Sequence, residues 1–304
     1  MIPLVSVEGP TASGKTGLAI RLAEALGAEI ISADSRQIYT QMDIGTAKPT
    51  PQELAAVPHH LIGIIDPGES YNVGRFRSDA LEALSGLRQR GRLPLVCGGT
   101  GLYVRGLLEG LFPLPQIPSE IRESLKARLA AEGLETLYQE LKQADPDFAA
   151  MLSPNDTQRV LRGLEVHLAS GRPISEHWRE QRRDPQFRAF RVLLDPPREV
   201  LYARINRRME QMLERGLLQE IQTLLDSGYT AASPGLSSLG YREFLPHLAG
   251  SASLEECAAL AAQHTRNYAK RQCTWYRNCK FDLTIAGEDV IISDVAGRIS
   301  AWLD

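Results

Sequence analysis

Residues 3–16 of the chain read PLVSVEGPTASGKT, and this stretch decides the fold. The first six residues form a short apolar run typical of a buried strand, which ends at Gly9. From Gly9 to Thr16 the sequence fits GxxxxGK(S/T), the phosphate-binding loop, and the residues after it show helical periodicity that closes at Gly27. A strand, this loop and a helix in that order are the context in which the motif binds linked phosphates.

Three further apolar runs are typical of buried strands, and helical patterns separate them. The runs are AEIISA (28–33), HLIGIID (60–66) and LPLVCGG (93–99), and the intervening helical patterns lie around residues 75–90 and 101–110. An alternation of strands and helices predicts a parallel sheet wound with helices. The first 112 residues are therefore expected to be α/β.

The character of the sequence changes at Pro113, where PLPQIP forms a proline-rich connector. Residues 118–182 then show only helical periodicity. FRVLLD (190–195) restores a strand-like run, further helices follow it, and FDLTI (281–285) adds a late strand. The helical segment is therefore interpreted as an insertion into the α/β domain.

We accordingly expect two domains, one inserted into the other. Residues 1–112 and 190–304 would form a P-loop NTPase-like parallel sheet core with a helical C-terminal part, and residues 113–189 an all-helical insertion. The length of 304 residues agrees with this count, because domains average about 150 residues.

The composition is that of a folded globular protein, with 43% hydrophobic and 23% charged residues. These values exclude wholesale disorder and a collagen-like repeat. No apolar run approaches the roughly 18 residues of a membrane span, and the N-terminus lacks the features of a signal peptide. We therefore expect a cytoplasmic protein that does not bind membranes. The four cysteines and six histidines have neither disulfide-framework nor zinc-site spacing.

The formal net charge of −3, from 34 basic and 37 acidic residues, gives no overall sign of a nucleic-acid binder. Two segments are nevertheless basic. Residues 151–192 carry eight arginines against five carboxylates, and residues 264–280 carry five basic residues and no acid. Tyr268, Trp275 and Tyr276 are interleaved with the second set and suit either base stacking or core packing. By composition alone, solvated helix faces are the simpler interpretation.

The phosphate loop supplies a cradle for two linked phosphates. Its glycines let successive backbone N–H groups curl towards an anion at a helix N-terminus. Lys15 adds a point charge, and the Thr16 hydroxyl is a ligand for Mg²⁺, the cofactor we expect. The predicted diphosphate-binding residues are Gly9, Pro10, Thr11, Ala12, Ser13, Gly14, Lys15 and Thr16.

The loop does not identify the molecule that carries the phosphates. In nucleotide hydrolases a strand that ends in a carboxylate completes the metal site, whereas the fourth predicted strand runs into glycines and Thr100. The nearest carboxylate is Asp34, after the second strand; it is our main catalytic candidate, although Asp-Ser pairs also tie turns. Polar groups near the strand ends favour one convergent site. They are Asp34, Ser35, Arg36, Gln37, Thr46, Lys48, Thr100 and Arg105.

At these residues the sequence resembles the tRNA dimethylallyltransferases, also called tRNA isopentenyltransferases. The resemblance runs motif by motif, in the family's order, over about 270 residues. The motifs are GPTASGKT (9–16), DSRQIY (34–39), MDIGTAKP (42–49), HHLI (59–62), GGTGLY (98–103), NDTQRVLRGLE (155–165), LGYRE (239–243) and YAKRQCTWYR (268–277). The Cys/His zinc module of eukaryotic relatives does not follow, which fits the bacterial type.

The resemblance implies transfer of a dimethylallyl group from dimethylallyl diphosphate to N6 of the adenosine immediately 3′ of the anticodon. Asp34 would take the proton of the amine, and Lys15, Thr16 and Mg²⁺ would stabilise the departing diphosphate. Thr100 would lie by the target nucleotide, and Arg208 belongs to a region that closes over the diphosphate or the RNA. The predicted catalytic residues are Asp34, Thr100, Lys15 and Arg208.

The resemblance also implies that the partner is the anticodon stem-loop of tRNA, and we expect the enzyme to act as a monomer. Matching positions predict the tRNA contacts. They are Asp34, Ser35, Arg36, Gln37, Thr100, Arg122, Gln158, Arg159, Val160, Leu161, Arg162, Lys270, Arg271 and Arg277.

The alternatives are a small-molecule kinase that uses the loop for ATP and a prenyltransferase that acts on free AMP. Neither needs the arginines of the insertion. A GTPase-like switch would need a guanine-reading NKxD segment after a strand, and the sequence has none.

Overall fold

The computed structural model describes residues 1–112, 114–180, 186–287 and 290–304. The chain divides into two compact units, one formed by Met1–Glu109 with Pro185–Asp304 and the other by Gly110–Asp184. The sequence placed these boundaries after residues 112 and 189. Pro113, the start of the expected connector, lies outside the described residues.

The first unit contains one six-stranded sheet in which every strand pairing is parallel, with the order β3-β2-β4-β1-β5-β6. The strands are β1 (Ile2–Glu8), β2 (Ala28–Ser32), β3 (His59–His60), β4 (Leu93–Gly98), β5 (Phe187–Leu194) and β6 (Leu283–Ile285). The predicted α/β fold class is thereby confirmed. Because β1 is central, the phosphate loop lies in the middle of the sheet's carboxyl edge.

Thirteen α-helices occur in the described part of the chain. They are α1 (Lys15–Leu26), α2 (Pro51–Ala56), α3 (Val73–Gln89), α4 (Gly101–Glu109), α5 (Ser119–Ala144), α6 (Pro146–Ala150), α7 (Thr157–Ser170), α8 (Ile174–Arg179), α9 (Arg198–Glu214), α10 (Leu217–Asp226), α11 (Leu245–Leu248), α12 (Leu254–Tyr276) and α13 (Ile292–Leu303), with a 3-10 turn at Arg242–Phe244. None of these helices is both long and apolar enough to span a bilayer.

Helices cover both faces of the sheet. On one face, α1 and α13 pack against alternate residues of β1 and β4, such as Val5 and Leu95. On the other face, α3 and α4 pack against Leu4 and Val96. A third apolar cluster joins α9, α10 and α12 to Ile38 and the loop after it. This cluster fixes helices beside the carboxyl edge, where the site forms.

Two strand predictions need correction. The apolar run 60–66 does not form a strand, because Leu61 and Gly63 have φ values of 63° and 59°, in the left-handed region that no strand accommodates. Within this run, His60 pairs with β2 as the last residue of β3, and Ile65 forms one isolated bridge to Tyr39. The fifth strand begins at Phe187 rather than 190, so residues 187–189 belong to the sheet and not to the insertion.

The second unit is all-helical, as predicted, and consists of α5 to α8 around its own core. Gly133, with φ 81° and ψ 164°, breaks α5 into two segments. Helix α7 is amphipathic, and Val160 and Leu164 on its inner face are fully buried. The side chain of Val160, a predicted tRNA contact, is therefore unavailable to an RNA, and that prediction is corrected.

Candidate active site

The phosphate loop forms a curled cradle between β1 and α1. Ala12 and Gly14 have left-handed backbone conformations, with φ values of 64° and 92°, and the Ser13 N–H donates to the Pro10 carbonyl. A Cβ on Gly9 would lie 2.6 Å from the carbonyl oxygen of Leu194, so this position requires glycine. The curl directs successive N–H groups and the N-terminus of α1 to one point, where they favour an anion.

Two side chains of the cradle support anion binding. The Lys15 ammonium lies 3.4 Å from the Pro10 carbonyl oxygen. Burial lowers the pKa of Lys15, and Asp34 opposes that shift. The buried Ser13 hydroxyl has no hydrogen-bond partner among the described residues. A bound diphosphate would stabilise the charge on Lys15.

A cavity of about 900 Å³ opens in front of the cradle. Besides the loop and the Asp34–Gln37 turn, its walls come from the segment at Gly45–Ala47, from α9 and from α12. The lining includes Lys15, Thr16, Asp34, Ser35, Gln37, Thr46, Arg204, Arg207, Arg208, Met209, Met212, Tyr268, Arg271 and Gln272. The lining combines polar and cationic side chains with the apolar side chains of Met209 and Met212.

Arginines from α9 contact the cradle directly. The Nη2 group of Arg208 donates to the Thr11 hydroxyl at 2.7 Å, and Arg204 donates to the carbonyls of Ala12 and Ser13 at 3.4 and 3.3 Å. Burial lowers the pKa of Arg208, and the nearby Asp34 opposes the shift. The structure thus places Arg208 beside the predicted diphosphate site.

Asp34 lies two residues beyond β2 and lines the cavity. Its Oδ1 accepts the backbone N–H groups of Arg36 and Gln37 at 2.9 and 3.4 Å, so the carboxylate does tie a turn. Among the described residues no hydrogen bond engages Oδ2. The turn and the catalytic interpretation are therefore compatible, because one oxygen holds the side chain and the other remains for a proton.

Thr100 follows β4 and is connected to the same turn. Its hydroxyl oxygen accepts the Ser35 N–H at 3.1 Å and its hydroxyl lies 3.4 Å from the Ser35 hydroxyl oxygen. Strand β4 ends at Gly98, so no carboxylate follows it directly, as the sequence predicted. The structure brings Asp34, Ser35 and Thr100 together at one edge of the sheet.

The other predicted polar residues mostly hold this neighbourhood in shape. Arg36 donates to the Ser238 hydroxyl at 2.9 Å, and the Gln37 amide donates to the Ala47 carbonyl at 2.9 Å. Thr46 donates to the Met42 carbonyl, and Lys48 pairs with Asp43. Arg105 is stacked over the Trp275 ring, 4.6 Å from its centroid.

Glu220 and Gln272 are two site residues that the sequence did not reveal. Glu220, on α10, accepts the N–H groups of Asp43, Ile44 and Gly45 and the Tyr241 hydroxyl, at 2.6 to 3.1 Å. Gln272, on α12, accepts the N–H of Thr11 and donates to the carbonyl of Gly99. Gln272 had a usable signal, because it lies on the buried stripe of α12. Glu220 had no such signal. Three of its four partners are 175 to 177 residues away in the sequence, and the fourth, Tyr241, lies in an irregular segment.

The two basic segments differ in the structure. In the described part of the second unit, each arginine between 151 and 180 pairs with a carboxylate, as Arg159 does with Asp156 and Arg162 with Glu165. Arg188 and Arg191 belong to β5, and Arg191 pairs with the buried Glu8. Arg182 and Arg183 lie outside the described residues. This segment is therefore less basic in effect than its composition suggested.

Three basic residues at the end of α12 are different, because they keep their charge exposed. Lys270, Arg271 and Arg277 are exposed, and no described carboxylate lies within ion-pair distance of them. Arg271 lies over the ring of Tyr268. Tyr276 is 3% exposed, so this ring belongs to the core rather than to a stacking surface.

The remaining predicted tRNA contacts lie in the second unit. Arg122 is exposed on α5, Gln158 and Arg159 are exposed on the first turn of α7, and Leu161 and Arg162 are half-buried. Leu161 packs against the core of that unit. The exposed residues of this set remain predicted contacts.

The donor set of the cavity agrees with Mg²⁺ held largely by substrate. The described residues contain no cluster of three or more His, Cys, Asp or Glu side chains suited to a metal. Thr16 and Asp34 contribute oxygen atoms to the lining of the cavity. Mg²⁺ commonly takes one or two protein oxygens together with phosphate oxygens and water. The residues present fit that mode of binding.

Comparison with known sequences identifies the relatives of the chain. The family described as IPP transferase matches residues 37–279, and the family described as isopentenyl transferase matches residues 2–62. The tRNA dimethylallyltransferase 1 of Syntrophotalea carbinolica is 48% identical over 276 residues, which cover 90% of this chain and 88% of the relative. The tRNA dimethylallyltransferase of Roseiflexus sp. is 43% identical over 307 aligned positions that cover both chains completely.

Solved structures agree. The full-length tRNA isopentenylpyrophosphate transferase from Bacillus halodurans is 37% identical with a TM-score of 0.72, over all of this chain and 97% of its own. A eukaryotic dimethylallyltransferase acting on tRNA is 32% identical with a TM-score of 0.78, over 91% of this chain and 70% of its own. The sequence, the cradle and these relatives lead to one conclusion: the chain belongs to the IPP transferase family, together with the tRNA dimethylallyltransferases.

Proposed function

We propose that this enzyme transfers the dimethylallyl group of dimethylallyl diphosphate to N6 of the adenosine immediately 3′ of a tRNA anticodon and releases diphosphate. The observation that carries the proposal is that the phosphate cradle and the Asp34–Gln37 turn line one cavity. The cradle suits a diphosphate, and Asp34 supplies a carboxylate close to it, near Lys15 and Arg208. A leaving group and a base are what this alkyl transfer requires.

The acceptor amine is a weak nucleophile, because its lone pair is delocalised into the adenine ring. As the bond from N6 to the allylic carbon forms, N6 loses a proton, and Asp34 Oδ2 is the acceptor for it. The hydrogen bonds to Oδ1 hold the carboxylate in place and leave Oδ2 available for the proton. Thr100, hydrogen-bonded to the same turn, would position the adenine.

The bond from the allylic carbon to oxygen breaks, and the diphosphate keeps the electron pair. Lys15, Arg208 and the backbone N–H groups of the cradle stabilise the negative charge that develops on it. Thr16 would hold Mg²⁺, which when bound to the diphosphate neutralises further charge. The cradle therefore holds a leaving group and not a nucleotide.

The RNA would bind along the exposed cations of α12, Lys270, Arg271 and Arg277, whose charges have no carboxylate partner in the described chain. An anticodon loop is already single-stranded, so bringing one base into the cavity costs little. We further propose that the enzyme acts as a monomer in the cytoplasm, where unmodified tRNA is present.

A single incubation tests the proposal against its alternatives. The protein is mixed with Mg²⁺, unmodified tRNA and dimethylallyl diphosphate. In parallel reactions ATP replaces dimethylallyl diphosphate, or AMP replaces tRNA. The masses of the resulting nucleosides are measured by mass spectrometry. We expect adenosine of the tRNA to gain one dimethylallyl group and AMP to gain none. Phosphate transfer from ATP, or preferential prenylation of AMP, would overturn the proposal in favour of the kinase or the AMP enzyme.

A further inference from the structure

Helix α12 places one uncharged amide on an otherwise largely apolar buried stripe. The stripe repeats every three or four residues and consists of Cys257, Ala261, Thr265, Ala269, Gln272 and Tyr276. Gln272 is 7% exposed. Burying a primary amide is unfavourable unless both of its ends are hydrogen-bonded. Its partners therefore explain why a glutamine occupies this position.

The two ends of the amide bind two different loops of the site. Oε1 accepts the N–H of Thr11, in the cradle, at 2.8 Å, and Nε2 donates to the carbonyl of Gly99, beside Thr100, at 2.7 Å. Because a backbone N–H only donates and a carbonyl only accepts, these partners fix the orientation of the amide. One side chain thus connects the loop after β1 to the loop after β4.

The packing at this junction leaves little room for adjustment. A Cβ on Gly99 would lie 2.5 Å from the Gln272 amide nitrogen, and a Cβ on Gly101 would clash with the indole nitrogen of Trp275. One turn further along α12, the Tyr276 hydroxyl lies 3.5 Å from the carbonyl oxygen of Gly98. Helix α12 therefore contacts the backbone of residues 98–101 directly, and Gln272 makes the shorter of its two polar contacts there.

We propose that Gln272 is a positioning residue that sets the separation between the cradle and the Thr100 loop. This inference rests on the proposed function, in which the cradle holds the leaving group and Thr100 lies beside the acceptor adenine. Rates of group transfer are sensitive to small displacements of the reacting atoms. Loss of Gln272 should therefore slow the chemical step and leave the affinity for tRNA unchanged.

The test uses the full-length enzyme with dimethylallyl diphosphate and unmodified tRNA under single-turnover conditions. Gln272→Met removes both hydrogen bonds at similar volume, and Gln272→Glu keeps the acceptor for Thr11 but loses the donor to Gly99. Gln263→Met, on the exposed side of the same helix, is the matched control. We expect both Gln272 variants to lower the rate constant about 10- to 100-fold at full amplitude, with tRNA affinity within twofold of wild type.

Amplitude and rate separate a positioning role from a structural one. A purely structural role would lower the amplitude, because fewer molecules would be folded, and would keep the rate constant of the active fraction. That result, or wild-type rate constants in both variants, would overturn the proposal. If Gln272→Met does not fold, Gln272→Glu carries the test. Transfer by the wild-type enzyme reports on the proposed function and the ratio of variant to wild type on Gln272, so the two claims fail separately.

Discussion

At the scale of the residue, Asp34 carries the most specific chemical claim. Its Oδ1 is engaged by two backbone N–H groups, so removal of the carboxylate affects both the turn and the proton acceptor. Asp34→Asn retains an oxygen for the turn but accepts no proton from an amine. The pair of Asp34→Asn and Asp34→Ala therefore distinguishes the two roles of one side chain.

For both variants we expect the rate of prenyl transfer to fall by about 10²- to 10⁴-fold, because a general base is lost. Affinity for dimethylallyl diphosphate should change little, since Lys15, Arg208 and the cradle remain. Single-turnover kinetics give the rate, and titration with the diphosphate gives the affinity. A wild-type rate in Asp34→Asn would show that Asp34 only ties the turn.

At the scale of the element, the conformation of the irregular segment 42–48 depends on a carboxylate from helix α10. Glu220 accepts three consecutive backbone N–H groups and the buried Tyr241 hydroxyl. A Cβ on Gly45 would lie 2.5 Å from the Tyr241 ring, so this wall of the cavity is tightly packed. Glu220 thus holds in place the segment that carries Thr46 and Ala47 into the cavity.

Glu220→Ala should leave several donors unpaired and destabilise the protein by roughly 2–4 kcal/mol, the usual cost of losing hydrogen bonds to a partly buried charge. It should also raise the KM for dimethylallyl diphosphate, because the wall at Gly45–Ala47 loosens. Thermal unfolding and steady-state kinetics measure the two effects. Glu210→Ala, an exposed glutamate on α9, is the control. Equal unfolding midpoints for the two variants would contradict this account of Glu220.

Elements with a local pattern were predictable from the sequence, and long-range contacts were not. The phosphate loop, α1 and the strands of the sheet core follow from apolar runs and glycine positions. The strand predicted for residues 60–66 was wrong, because Leu61 and Gly63 have left-handed backbone conformations within an apolar pattern that otherwise matches a strand. Glu220 was missed because its backbone partners are distant in sequence. Gln272 was missed although it lies on the buried stripe of α12, because polar residues on amphipathic helices usually face solvent.

At the scale of the whole molecule, the net charge of −3 conceals where the cations lie. The composition indicates two basic segments, and the structure shows that they differ in the exposure and ion pairing of their cations. The described arginines between residues 151 and 180 are paired with carboxylates, whereas the cations at the end of α12 are exposed and have no described carboxylate partner. Affinity for RNA should therefore depend more on α12 than its share of the arginines suggests.

The double variant Lys270→Ala/Arg277→Ala should weaken tRNA binding and reduce the magnitude of the slope of log affinity against log salt by about 1.4 to 1.8, since each phosphate contact contributes about 0.7 to 0.9. Arg172→Ala, whose arginine pairs with Glu176 and Glu180, should change the slope by much less. Filter binding of tRNA at several salt concentrations gives the slopes. Equal slopes for wild type and the double variant would place the RNA elsewhere.

The most direct test of the central claim is the position of the modified nucleoside within the tRNA. After reaction with dimethylallyl diphosphate and Mg²⁺, the tRNA is cleaved into fragments, and the mass of each fragment is measured by mass spectrometry. We predict one dimethylallyl group, on the adenosine immediately 3′ of the anticodon, one diphosphate released per group, and no reaction when that adenosine is replaced by guanosine. Prenylation at another position, or an unchanged yield from the guanosine transcript, would contradict the account.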